Sequence, residues 1–104
     1  MLLLLCMIKC IDCVMSGKNL GYKYLEWINQ NANNLGLKGI TFFGNDGSIK
    51  IIAEGEERYL NIFINRLQRG RFFFPIFSPV ENFSITWQEP KNEFEDFSIS
   101  EATE

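Results

Sequence analysis

The sequence contains no histidine. That absence removes Ser-His and Cys-His nucleophilic pairs, histidine general bases and zinc sites with imidazole ligands. Cysteine is sparse as well. Cys6, Cys10 and Cys13 fall in one short run, and the C-x-x-C formed by Cys10 and Cys13 has no second pair to complete a metal site. If the run is a strand, Cys10 and Cys13 point to opposite faces and cannot bridge, so both are expected as buried free thiols in a reducing cytoplasm, with no metal and no cofactor. Long apolar runs are missing too. The opening Met1 to Ile8 is too short to cross a bilayer, and neither a basic leader nor a small-residue cleavage pattern accompanies it, so a membrane partner is not expected. Finally, there is no surplus of cations: the formal net charge is -3, which argues against a nucleic-acid partner. The deficit is uneven, with residues 1–80 carrying +3 and residues 81–104 carrying -6. The acidic end reads as a solvated strand and tail.

What is present is enough apolar residue, 46% of 104, for one domain with its own core. The division expected is a core over 7–99, an apolar extension over 1–6 and an acidic tail over 100–104. Met7 to Ser16 reads as a strand by apolar density, and Gly17 ends it. Helical spacing follows from about Tyr22, with Leu25, Ile28, Ala32 and Leu35 on one stripe and Gly36 as the stop. Gly39 to Phe43 and Ser48 to Ala53 read as two strands joined by Gly44-Asn45-Asp46-Gly47, whose Asp-Gly step supplies a hairpin's positive φ. Glu56 to Arg69 is predicted as a second helix, buried through Leu60, Phe63, Ile64 and Leu67 and capped by Gly70. Arg71 to Pro79 is read as an aromatic loop, and Asn82 to Gln88 and Phe94 to Ile99 as the last strands. The order predicts an α+β, ferredoxin-like βαββαβ two-layer sandwich: an antiparallel sheet with both helices on one face, plus a short C-terminal strand.

On these residues the chain resembles the acylphosphatases. The match runs through Ser16-Gly17, Gly21, Tyr24, Ala32, Leu35-Gly36-Leu37-Lys38-Gly39, Asp46-Gly47-Ser48-Ile49 and Ala53-Glu54-Gly55-Glu56-Glu57. It continues more loosely through Leu60, Phe63, Leu67 and Gly70 to Trp87-x-Glu89-Pro90 and Phe94-x-x-Phe97-x-Ile99. The resemblance implies hydrolysis of the carboxyl-phosphate bond of acyl phosphates without metal or histidine. In that family a loop of backbone amides at a helix N-terminus cradles phosphate, an arginine grips it and an asparagine positions the attacking water. This is sound chemistry, because amide donors and the helix dipole hold an anion and a guanidinium fork fits phosphate oxygens.

Set against the family signature G-x-V-Q-G-V-G-[FY]-R, the chain reads Gly17-Lys18-Asn19-Leu20-Gly21-Tyr22-Lys23-Tyr24-Leu25, with Leu25 at the arginine. In the later motif G-x-V-x-N, Phe43 stands at the asparagine. Sliding the first motif by two places would put Lys23 at the arginine position. It would also add two residues before Ala32 and turn the helix stripe by roughly 200°, so the slide is rejected. The resemblance therefore implies an inactive or very weak relative, with phosphate or sulfate held weakly by Leu20, Gly21, Tyr22, Lys23 and Tyr24. The alternative is a protein-interaction or homo-oligomer module. It would use an apolar former site (Tyr22, Tyr24, Leu25, Phe42, Phe43) and the loop residues Phe72, Phe73, Phe74 and Phe77. Core filling explains the same aromatics equally well.

Overall fold

A computed structural model describes residues 7–17, 20–73 and 81–100. The elements are β1 (Ile8–Ser16), α1 (Tyr22–Asn34), β2 (Lys38–Phe43), β3 (Ile49–Glu56), α2 (Glu57–Phe73), β4 (Asn82–Gln88) and β5 (Phe97–Ile99). The five strands form one sheet in the order β4-β1-β3-β2-β5. β1 pairs antiparallel with both β3 and β4, and β2 pairs antiparallel with β3. With both helices packed on the sheet, this is the ferredoxin-like α+β sandwich that the element order predicts.

Strand alternation decides which residues meet the helices. Ile11, Cys13 and Met15 of β1 stand opposite Ala53, Ile51 and Ile49 of β3, and all six are buried. They share one apolar cluster with Leu25, Ile28 and Ala32 of α1 and Leu60, Phe63 and Leu67 of α2. The expected stripes of both helices therefore face the core. Gly36 ends α1 as foreseen: at φ +70 it lets its own N–H reach the Asn33 carbonyl and that of Leu37 reach the Ala32 carbonyl, each at 3.0 Å. In the hairpin, Gly47 takes φ +85, and Asp46 accepts from the Ser48 amide at 3.0 Å and its hydroxyl at 2.7 Å, which holds the Asp46 carboxyl below its ordinary value.

Three sequence readings need correction. The sheet is mixed, because β5 runs parallel to β2. β4 and β2 point in opposite directions, so a chain that leaves β4, crosses the sheet end and returns along the far edge meets β2 running the same way. β5 is also shorter than Phe94 to Ile99, since residues 89–96 are used in that crossing. α2 does not end at Arg69 and Gly70 does not cap it: the helical backbone continues through Phe73. One helical glycine costs only about 1 kcal/mol, too little for Gly70 alone to halt a helix packed on the sheet. The predicted loop of Arg71 to Pro79 thus begins inside a helix, and its part from Phe74 onward lies outside the described residues.

The crossing is pinned from below. Glu54 is 5% exposed, and its two carboxylate oxygens accept the Asn92 backbone N–H at 3.2 and 3.1 Å. Asn92 adopts φ +55 to present that amide. Cys10 stands opposite Glu54 on the sheet face away from the helices, yet it is fully buried, while Cys13 is buried on the helix face. The two thiols are free and point opposite ways, as alternation requires.

Burial, reinforced by the negative charge of Asp12, pushes the Cys13 thiol up to about 12 from an ordinary value of 9.0. Its contribution to stability is complete below pH 9, where the thiol is neutral in both states. It is lost as pH rises toward 12, because only the unfolded chain can ionise there. Urea midpoints measured against pH should therefore fall above pH 9, with Cys13 alone contributing about 1.4 kcal/mol per pH unit. Cys13→Ala should give a shallower fall.

Candidate functional site

The loop after β1 delivers the chain to α1 at the end of the sheet where β1 and β2 both finish, with Met15 and Phe43 each paired to Ile49 of β3. Leu20 anchors the loop by entering the core cluster. Gly21 is the N-cap residue, with extended backbone (φ -103, ψ -177) and no side-chain hydrogen bond to the first helical amides. No acidic residue lies in the first turn. The Tyr24 N–H turns back to the Gly21 carbonyl at 3.0 Å, and the positive dipole end of α1 has no side-chain cap from Gly21 and no acidic residue in its own first turn. Tyr22 is about half exposed and Lys23 is exposed, in the first turn of the helix.

The next two residues turn inward. Tyr24 is 3% exposed and Leu25 is 1% exposed, both in the core cluster. Tyr24 meets Trp27 edge to face at 5.9 Å, and burial raises its phenol above the ordinary value. Phe43, at the end of β2, is partly buried and packs against the same cluster. Leu25 and Phe43 therefore both contribute to the one apolar core on the helix face of the sheet. The structure does not assemble the five aromatic and aliphatic residues of the former site into a surface patch. Phe42 points to the opposite sheet face from Phe43 and is itself buried, and only Tyr22 of the set is well exposed. Of the aromatic run, Phe72 and Phe73 contribute backbone to the last turn of α2, while Phe74 and Phe77 lie outside the described residues.

Arg66 and Arg69, at the basic end expected to complement the dipole of α2, have a second setting in the fold. They also line a cleft of about 340 Å³ between the helices with Trp27 and Asn31, where Arg66 Nη1 donates to Asn31 Oδ1 at 3.2 Å. Their reach across to α1 depends on helix pairing, which no local pattern encodes. Among the described residues no group of three or more His, Cys, Asp or Glu is placed to hold a metal ion, and no helix is long and apolar enough to cross a membrane.

The arrangement defines a class: a ferredoxin-like sandwich whose first helix presents an uncapped N-terminus at one end of the sheet. The acylphosphatase family model matches residues 11–99, and the chain belongs to the acylphosphatase family. It is 34% identical over 82 residues to an acylphosphatase of Thermotoga maritima, covering 79% of this chain and 83% of the relative. With an acylphosphatase of Methanococcoides burtonii the identity is 27% over 92 residues, covering 88% and 92%. The crystal structure of acylphosphatase from Bacillus subtilis superposes with a TM-score of 0.78 at 26% identity, over 90% of this chain and 99% of that one. Full-length HypF in its phosphate- and nucleotide-bound form contains the same fold, with a TM-score of 0.79 at 22% identity, in a chain of which the match covers 12%.

Proposed function

We propose that this chain is an acylphosphatase-family protein that has lost efficient hydrolysis of acyl phosphates. The observation that carries this reading is Leu25. It stands at the position of the family's phosphate-gripping arginine, is 1% exposed and belongs to the apolar core. Phe43, at the position of the water-orienting asparagine, packs on the same core. An apolar pair offers neither a cation for the phosphoryl oxygens nor a carbonyl oxygen and amide to hold a water in line. What remains is the positive end of α1, without a side-chain cap at Gly21, where the segment Leu20, Gly21, Tyr22, Lys23 and Tyr24 can hold phosphate or sulfate weakly.

The decisive measurement is a continuous assay on an aryl acyl phosphate beside the Bacillus subtilis acylphosphatase. One lost transition-state donor commonly costs on the order of a hundred- to a thousandfold, so the parent protein should be at least about a thousandfold slower. Comparable rates would overturn the reading.

The residual anion site has its own test. A Cβ added at Gly21 meets nothing among the described residues within 4 Å, and its backbone suits any residue. Gly21→Asp places a carboxylate where the anion would sit and caps the helix, which should stabilise the protein by about 0.3–1 kcal/mol. In thermal melts phosphate should raise the parent's midpoint and leave that of Gly21→Asp unchanged. Equal shifts in both would exclude the α1 N-terminus as the anion site.

A further inference from the structure

β4 is an edge strand: it pairs with β1 on one side only, and among the described residues nothing pairs with its outer side. Edge strands normally discourage pairing with another chain through an internal charge, a proline or a bulge. β4 has none of these. Asn82-Phe83-Ser84-Ile85-Thr86-Trp87-Gln88 contains no charged residue and no proline, and its register with β1 is continuous from Asn82 to Gln88. The charges lie just outside it, at Glu81 and Glu89. On the helix face Phe83 and Ile85 are partly buried against the core, while Trp87 is 44% exposed at the rim.

The strand is also complementary to itself. Turned about a twofold axis perpendicular to the sheet that passes between Ile85 of one copy and Ile85 of the next, it places Phe83 opposite Trp87 of a second copy, Ser84 opposite Thr86, Asn82 opposite Gln88, and Ile85 opposite its own equivalent. Every pair joins residues of one kind: aromatic with aromatic, hydroxyl with hydroxyl, amide with amide. Such cross-strand pairs are the stabilising unit of antiparallel sheets. The same operation keeps the helices of both copies on one side of a continuous ten-stranded sheet, the isologous arrangement of a twofold dimer. Only the flanks conflict, because Glu81 falls opposite Glu89 at both ends.

We infer that β4 is a self-association edge whose partner is a second copy of this chain, joined antiparallel about Ile85. The inference rests on the residues of β4 alone, and it does not depend on whether the protein hydrolyses acyl phosphates. The flanking glutamates make the dimer reversible and favour it at high ionic strength, where like charges are screened.

Ser84 and Thr86 are exposed and point away from the helices, so charges there leave the core intact. Sedimentation velocity over a range of concentrations should show a reversible dimer for the parent. The variant Ser84→Lys/Thr86→Lys sets like charges opposite each other twice and should dimerise about tenfold more weakly. Ser84→Lys/Thr86→Glu uses the same two positions but sets opposite charges across the axis, and should dimerise at least as well as the parent. Glu81→Gln/Glu89→Gln should tighten the dimer. A parent that stays monomeric throughout would overturn the inference. So would equal dimerisation of the Lys/Lys and Lys/Glu variants, which is the result expected of association through the aromatic segment.

Discussion

Leu25→Arg combined with Phe43→Asn is expected to raise acyl-phosphate hydrolysis at least about tenfold over the parent and to make folding stability depend on phosphate. The two side chains join the same apolar core from α1 and from the end of β2, so both replacements fall on the helix face of the sheet. Without an anion the cost is considerable. Leu25 is 1% exposed, and losing its burial while introducing a guanidinium should destabilise the protein by about 2–5 kcal/mol. The arginine stem is long enough to carry its head toward the uncapped start of α1, where bound phosphate would pair with it, so added phosphate should recover much of the loss. Phe43→Asn alone should lose stability without gaining activity, because no cation then holds the substrate. Urea unfolding with and without phosphate, run with the hydrolysis assay, checks both parts. If the double variant folds but shows neither hydrolysis above the parent nor stabilisation by phosphate, the loop before α1 no longer forms a working cradle, and Lys23 in place of the signature glycine is the first residue to restore.

Gly39→Ala should be the most damaging single substitution by one methyl group, at about 3–5 kcal/mol. Gly39 adopts φ +143, and a Cβ there would fall 1.8 Å from the Ile52 carbonyl oxygen and 2.8 Å from its carbon, both backbone atoms of the neighbouring strand. The position also cannot move freely. Gly39 pairs with Ala53 on one side and Phe97 on the other, and its amide donates to the Asp96 carbonyl at 2.9 Å. Relief of the clash would have to separate β2 from β3 in the middle of the sheet. Gly36→Ala is the matching control: φ is +70, but nothing lies within 4 Å of the added carbon, so only the left-handed backbone term of about 1–2 kcal/mol is expected. Urea midpoints with unchanged slopes would establish the difference. Similar losses at the two positions would show that backbone conformation outweighs contact with Ile52.

These two predictions differ in how much of their basis was legible in the sequence. Leu25 was visible as part of a helical stripe because helix phase is a local property, and the stripe Leu25, Ile28 and Ala32 is buried as the spacing requires. The hairpin at Asp46-Gly47 was legible for the same reason. Gly39 could be matched to a motif, but its need for glycine depends on the closeness of Ile52, which only strand pairing creates. Grouping Phe42 with Phe43 as one apolar surface overlooked the alternation that had already separated Cys10 from Cys13. The extension of α2 through Gly70 shows the limit of reading a lone glycine as a stop. The parallel course of β5 had no local signal at all, since it follows from a crossing pinned at Glu54, far earlier in the chain.

That crossing also closes the far edge of the sheet. The outer edge of β2 is sealed only when Phe97 to Ile99 dock beside Gly39 to Thr41, and the segment that leads to them lays the Asn92 amide on Glu54. During synthesis on the ribosome, every element from β1 to β4 can be complete while Lys38 to Phe43 still offers an open row of backbone groups to any neighbouring nascent chain. Pairings between segments so distant in sequence close late, so β2 is the strand of this sheet whose edge waits longest for its partner.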